Sequence, residues 1–291
     1  MKKLIPAVLV LAAVFTGCSQ SAQDNADDSL TVCTSFYAIY DFASEVGGDR
    51  VNVINMVPTG TEPHDWEPSS HDMLELNNAS ALFYNGMGME SWIDKVKGSI
   101  GEDAVEYVEL SEGIGDESMA DPHIWLDPNN VMLMTDKIAD TLCELDEENA
   151  DYYRENADSF NGELKELDTA YRQTLEPYKG KSIVVSHEAY SYLCAEYGLV
   201  QTAVEGVIPE SEPSPEQMKN IIDYINDNEI KYIFFEELLS PKVVQTIADE
   251  TGAQLLELNP FEGLSQEDID AGEDYISVMY DNLDNLKLAL E

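Results

Sequence analysis

From Glu147 to Glu176 the apolar residues keep to one helical stripe. Tyr153, Phe160, Leu164, Leu167, Tyr171 and Leu175 recur at spacings of three, four and seven, and no proline interrupts them before Pro177. The stripe predicts a single helix, roughly 45 Å long at about 1.5 Å per residue. One compact domain has no need of such a length. The helix therefore divides the 291-residue chain and is expected to act as a rigid strut between two lobes. A hydrophobic content of 44% supplies a core and excludes disorder.

Both flanks of the helix alternate between strand and helix patterns. Ahead of it, Leu30–Phe36, Val51–Val57, Ala79–Tyr84 and Ala104–Leu110 read as strands. Tyr37–Val46, a segment capped by Ser70 and running to Asn77, and Met89–Val96 read as helices. Asp127-Pro128 opens a further helix to Leu145, with Asp as the cap and Pro at the first helical position. Behind it, Ser182–Ser186, Tyr232–Phe235 and Gln254–Leu258 read as strands. Glu188–Tyr197, Pro215–Asn226, a segment from Ser240-Pro241 to Glu250, and Gln266–Leu290 read as helices. The predicted class is α/β, with two lobes, each a mostly parallel sheet flanked by helices, joined by one long rigid helix. The expected boundaries are 30–146 for the N-terminal lobe, 147–178 for the linking helix and 179–291 for the C-terminal lobe.

The first residues read as an export signal over 1–17. Met1-Lys2-Lys3 is basic, and Leu4 to Phe15 is apolar but too short to span a bilayer comfortably. Thr16-Gly17-Cys18-Ser19 resembles a bacterial lipobox, which predicts lipidation of Cys18. Residues 18–29 then form a polar, flexible tether. The expected product is a soluble body outside the cytoplasm, a monomer that meets the cell membrane through its N-terminal lipid alone.

The formal net charge is −43. Nucleic-acid binding is excluded by the lack of a basic footprint to displace counterions from phosphates. Such a field keeps the surface solvated and also draws cations towards it. Beyond Cys18 the chain holds Cys33, Cys143 and Cys194, without CxxC spacing. Buried thiols acting as small apolar groups are expected, with at most one disulfide.

Histidine is scarce, at four residues, and three of them fall in separate strand-end segments. His64 lies in Pro63-His64-Asp65-Trp66, His123 in Asp121-Pro122-His123, and His187 directly after the strand SIVVS. Open parallel sheets place ligands in loops beyond the carboxyl ends of strands. Three imidazoles from two lobes thus predict a metal in the cleft, completed by a carboxylate from the C-terminal lobe. Glu262, after the strand Gln254–Leu258, is the candidate for that fourth position, with Glu236 and Glu237 as competitors. His71 is expected at the surface. Asp65, Glu67 and Asp121 are expected on solvated loop faces.

Several longer segments, in fixed order, carry a family resemblance. They include TSFYAIYDFASEVGGD, GTEPHDWEPS, NGMGMESW, DPHIWLDP, VVSHEAYSYLCAEYGL and LNPFEGLS. Together they resemble the zinc-binding solute-binding lipoproteins of cluster A-I ABC importers, with a TroA-like fold. The resemblance implies two α/β lobes with Zn2+ as the transported ligand between them, held by His64, His123, His187 and Glu262. It implies delivery to the membrane permease of an ABC importer and no enzymatic activity. A histidine as third ligand resembles the zinc branch, whereas manganese relatives place a carboxylate there. The stretch GIGDESMAD, where many zinc members carry a His-rich loop, is short and acidic. A manganese or iron binder of the same fold and a zinc hydrolase are the other readings. The hydrolase would need an open metal position, and the chain has no HExxH.

Overall fold

Strand alternation assigns successive side chains to opposite faces of a sheet, and here it sorts the apolar residues into three cores. The computed structural model describes residues 30–101, 103–119, 121–207 and 213–291. The expected export signal, Cys18 and the tether lie outside the described residues. In β1 (Leu30–Thr34), Val32 faces a central core and Cys33 an outer one. In β3 (Ala81–Tyr84), Ala81 and Phe83 face the centre while Leu82 and Tyr84 face outward. β5 (Ser182–Val185) repeats the rule, with Ile183 and Val185 central and Val184 in the outer core of the other lobe.

β1 pairs in parallel with β2 (Val51–Asn55) and β3, and β3 pairs with β4 (Glu106–Glu109), in the order β2-β1-β3-β4. The second sheet adds β6 (Val200–Ala203), β7 (Tyr232–Phe235) and β8 (Gln254–Glu257) around β5, in the parallel order β6-β5-β7-β8. The two α/β lobes thus share one topology. In each sheet the strand order reverses beside the first strand, which leaves a crevice at its carboxyl end.

The helices close these faces. α1 (Tyr37–Gly47) covers the central side of the first sheet. α2 (Ser70–Asn78) and α3 (Ile93–Ile100) carry Leu76 and Val96 to its outer side. α4 (Pro128–Leu145) starts with the Asp127 side chain accepting the Asn129 N–H. α5 (Ala150–Leu175) is the long helix, about 39 Å at roughly 1.5 Å per residue. In the C-terminal lobe α6 (Ser191–Tyr197) follows β5, and α7 (Pro215–Asp227) and α8 (Lys242–Thr251) cover the outer core. α9 (Gln266–Ala271) and α10 (Tyr275–Leu290) end the chain.

Several elements differ from the sequence reading. Beyond joining the lobes, α5 packs lengthwise on α1 and α4 of one lobe and on α6 and α10 of the other. Its whole apolar stripe is buried, from Tyr153 to Leu175. Ser69, not Ser70, caps α2, because its side chain accepts from His71 and Asp72 while Asp72 returns a bond to the Ser69 N–H. The helix expected over Met89–Val96 begins only at Ile93, since the turn before it is held by the Glu90 carboxylate. The helix expected from Gln266 to Leu290 breaks at Gly272, whose φ of +85° suits glycine, and Asp274 caps a fresh start. The α6 helix begins later than expected, after the His187 turn. β6 has few apolar residues to announce it, and pairing with β5 makes it a strand.

The central core runs without interruption from one lobe to the other, and the lobes are joined through it. Phe42 meets Tyr275 at 5.1 Å and Tyr37 meets Phe261 at 5.5 Å between ring centroids. Asp41 of α1 accepts the Tyr275 N–H at the start of α10. Spreading the lobes apart would expose these rings, at about 1.5–3 kcal/mol for each large apolar side chain. Among the described residues, no helix is long and apolar enough to cross a membrane, and Cys33, Cys143 and Cys194 are buried free thiols.

Leu164 is fully buried at the middle of α5. Leu164→Ala should destabilise the protein by about 2–5 kcal/mol. Because the core is shared, the loss should lower one cooperative urea transition, seen alike by far-ultraviolet circular dichroism and tryptophan fluorescence. Two separated transitions, one per lobe, would contradict the shared core.

Candidate metal centre

Four strand-end loops meet in the cleft. His64 comes from the loop after β2, His123 from the segment after β4, His187 from the turn after β5, and Glu262 from the loop after β8. All four are buried, His123 and His187 completely. Their ligand atoms lie within 4.8 Å of one another. His123 Nε2 is 3.2 Å from His64 Nε2, 3.3 Å from His187 Nε2 and 2.8 Å from Glu262 Oε1. Glu262 Oε1 is 3.4 Å from His64 Nε2 and 3.5 Å from His187 Nε2. A tetrahedron of N and O ligands about 2.0–2.1 Å from Zn2+ has edges of about 3.3–3.4 Å. Four of the five distances lie near that value, and the His123–Glu262 pair, at 2.8 Å, is shorter.

The outer nitrogens fix which atoms face inward. His123 Nδ1 donates to Asp121 Oδ1 at 2.6 Å, and His187 Nδ1 donates to Glu236 Oε1 at 2.7 Å. With the proton on Nδ1, each Nε2 turns a lone pair towards the centre. Such lone pairs repel one another at these separations unless a cation lies between them. Asp121 also accepts the His123 N–H, and its second oxygen accepts the Ser191 N–H of α6, which ties the two lobes together. Ser186 Oγ donates to Glu236. Asp121 is thus buried, and the expectation of a solvated loop face for it is corrected. Glu236, a competitor for the fourth position, sits on the far side of the His187 ring. His71 is exposed, as expected, beside Glu75.

A deeper layer holds the loops. The Asn85 side chain donates to Pro122 O at 2.9 Å, just ahead of His123, and Glu90 accepts the Asn85 and Gly86 N–H groups. Trp125 Nε1 donates to Pro260 O, and Tyr190 donates to Leu258 O. Asn259 accepts the Phe261 N–H, and Asn282 bonds both backbone groups of Asn259. Phe261, buried next to Glu262, is held at φ 56°, a left-handed conformation that costs a non-glycine residue about 1–3 kcal/mol. The sequence marks Asn85, Glu90 and Asn282 by no spacing rule. Buried polar residues inside apolar segments are the one signal they leave.

The charges respond to this crowding. Burial alone would lower the proton affinity of His123, but the Asp121 and Glu262 carboxylates outweigh it and hold its pKa above 6.5. Burial also opposes the charged form of His187, and Glu236 and Glu262 overcome it by a wide margin. Glu262 is pushed up by burial and down by three imidazoles, and the imidazoles win, so it stays ionised well below the ordinary range. Asp121 is likewise lowered, against its burial, by His123 and the Ser191 side chain. Glu62 is raised by burial and by the neighbouring Glu262.

The family model "Zinc-uptake complex component A periplasmic", ZnuA, matches residues 32–289. The high-affinity zinc uptake system protein ZnuA of Bacillus subtilis is 34% identical over 300 residues, covering 97% of this chain and 94% of that protein. The zinc-binding lipoprotein AdcA of Streptococcus pneumoniae is 35% identical over 306 residues, covering 99% of this chain and 61% of that longer protein. The crystal structure of the Zn(II)-bound ZnuA-like domain of the pneumococcal AdcA superposes with a TM-score of 0.81 at 35% identity, covering 90% of this chain and 99% of that one.

Two outcomes follow from this geometry. Glu236→Gln should weaken zinc binding about 10–100-fold while leaving the fold intact, since an amide orients the His187 ring less well than a carboxylate. Competition with a chromophoric chelator measures it, and unchanged affinity would contradict the orienting role. The second concerns protons. In the metal-free protein the raised histidines bind protons more tightly folded than unfolded. They stabilise the fold below about pH 6.5 and lose that contribution as pH rises through their folded pKa values. The depressed Glu262 stabilises above its ordinary range and loses that as pH falls. Zinc must displace the imidazole protons, so affinity should climb with pH and binding at pH 7 should release protons. Calorimetry in phosphate and in Tris should give different heats, and equal heats would refute proton release.

Proposed function

The chain belongs to the family of periplasmic zinc-uptake complex component A, ZnuA, and from that membership we propose that His64, His123, His187 and Glu262 together hold the transported Zn2+. The observation that carries this reading is the convergence of four buried donor atoms to within 4.8 Å of one another, close enough for one small cation to reach them all. Three neutral imidazoles and one carboxylate give Zn2+ the mixed N/O environment it favours. Mn2+ and Mg2+ prefer more oxygen and octahedral geometry. Binding is capture without chemistry, because a four-donor cage leaves no protein-free position on the metal at which water could be activated.

The rest of the chain fits the same role. The body divides into lobes over 30–146 and 179–291 around the linking segment 147–178. Cys18 carries the lipid, residues 1–17 direct export, and the monomeric body stays outside the cytoplasm close to an ABC permease. The acidic surface, at a net charge of −43, raises the local concentration of divalent cations. Because the lobes share a core, delivery to the permease proceeds by loosening of the ligand-bearing loops and not by wide hinge opening. His64 and Glu262, at 9% and 5% exposure, are the outer pair of ligands and the first to let go.

Substitution of the ligands tests the assignment. His123→Ala should weaken Zn2+ binding more than about 100-fold, beyond what loss of an orienting partner costs. Glu262→Ala should weaken it too and leave the metal open to solvent, which X-ray absorption at the zinc edge reads as a water ligand. Wild-type protein should bind Zn2+ more tightly than Mn2+ at one pH. Retained affinity in His123→Ala would refute the four-ligand cage.

A further inference from the structure

Glu62 stands two residues ahead of His64, in the loop between β2 and α2. Its two carboxylate oxygens accept the His64 N–H at 3.2 Å and the Asp65 N–H at 3.4 Å. These bonds hold the half-buried side chain against the cleft. It lines a cavity of about 10 Å3, room for roughly one water-sized sphere. The opposite wall comes from the C-terminal lobe: Glu236, Leu238, Glu262 and Gly263. The lobes approach closely here. A Cβ on Gly263 would stand 3.0 Å from the Leu238 side chain and 3.7 Å from Thr61 O.

This side of the cage is also its thinnest. His64 and Glu262 keep a little exposure, whereas His123 and His187 have none and lie behind the Asp121 and Glu236 hydrogen bonds. A hydrated divalent cation cannot reach four buried donors in one step. It must exchange its waters singly, and an ionised or hydrogen-bonded carboxylate at the opening replaces one of them before any imidazole does. We infer that the cation enters and leaves between Glu62 and Glu262, and that Glu62 is a transient ligand on that path. The inference rests on the four-ligand cage proposed above.

A group that binds the ion only in passage has a distinct kinetic signature. It lowers the barrier from both sides, so its removal slows association and dissociation by the same factor and leaves the equilibrium unchanged. A fixed ligand, or a residue that merely orders the His64 loop, changes the equilibrium. A remote charge acts mainly on association and is screened by salt.

The test is stopped-flow tryptophan fluorescence on the full-length protein, with Zn2+ buffered by nitrilotriacetate for association and with excess chelator for dissociation. Glu62→Gln keeps one oxygen to accept a loop N–H group and removes the charge. Both rates should fall about tenfold, with Kd within about twofold of wild type, at 0.5 M as at 0.05 M salt. Asp65→Asn removes the same charge from the exposed neighbour and should leave both rates near wild type. Unchanged rates in Glu62→Gln, a change in one rate only with Kd shifted to match, or equal slowing in Asp65→Asn would each overturn the inference. Wild-type binding that survives His123→Ala would instead overturn the cage itself, and the two failures are read from different variants.

Discussion

Lone pairs that converge on one point govern this molecule. Three Nε2 atoms and a carboxylate oxygen have been brought within 4.8 Å of one another in a buried cleft, an arrangement that is unfavourable for an empty protein. A cation relieves it, and without the metal, protons do so less well. The repulsion is sustained because two of the rings and the carboxylate loop are held from behind. Asp121 and Glu236 fix the His123 and His187 rings, and a strained Phe261 and the Asn259–Asn282 pair fix the Glu262 loop. The stability of the shared core holds the loops in place against the repulsion they bear.

The position of the cage between two sheets gives it both rigidity and access. Each lobe contributes two ligands from strand ends where the sheet order leaves a crevice. The bonds from Trp125 to Pro260 and from Asp121 to Ser191 cross between lobes within a few residues of the ligands. A displacement of either lobe is therefore felt directly at the metal.

Much of this was legible in the chain alone. The β-α alternation, the proline-free stripe of α5 and the strand-end histidines depend on local patterns, and local patterns survive into the fold. Glu262 was favoured as the fourth ligand from its place after a strand, and its carboxylate does meet the three rings. The misreadings arose where distant contacts decide. Asp121 looked like a solvated acid because nothing in its own segment reveals that α6 of the other lobe closes over it. Glu90 turns an apparent helix start into a loop by accepting backbone N–H groups, and β6 becomes a strand only because β5 offers it an edge. The break at Gly272 was visible as a glycine, but the sequence weighs it against a long helical pattern and the pattern prevailed.

The buried thiols bear on how such a protein lives with its cargo. Thiolate is among the softest ligands a protein can offer and would compete for zinc. Burial pushes the Cys33 thiol up to about 12 and the Cys194 thiol to about 12 as well, so neither ionises at neutral pH. These two sulfurs are thus held as neutral thiols. Among the described residues the three cysteines are unpaired, so no cross-link fastens the two lobes together.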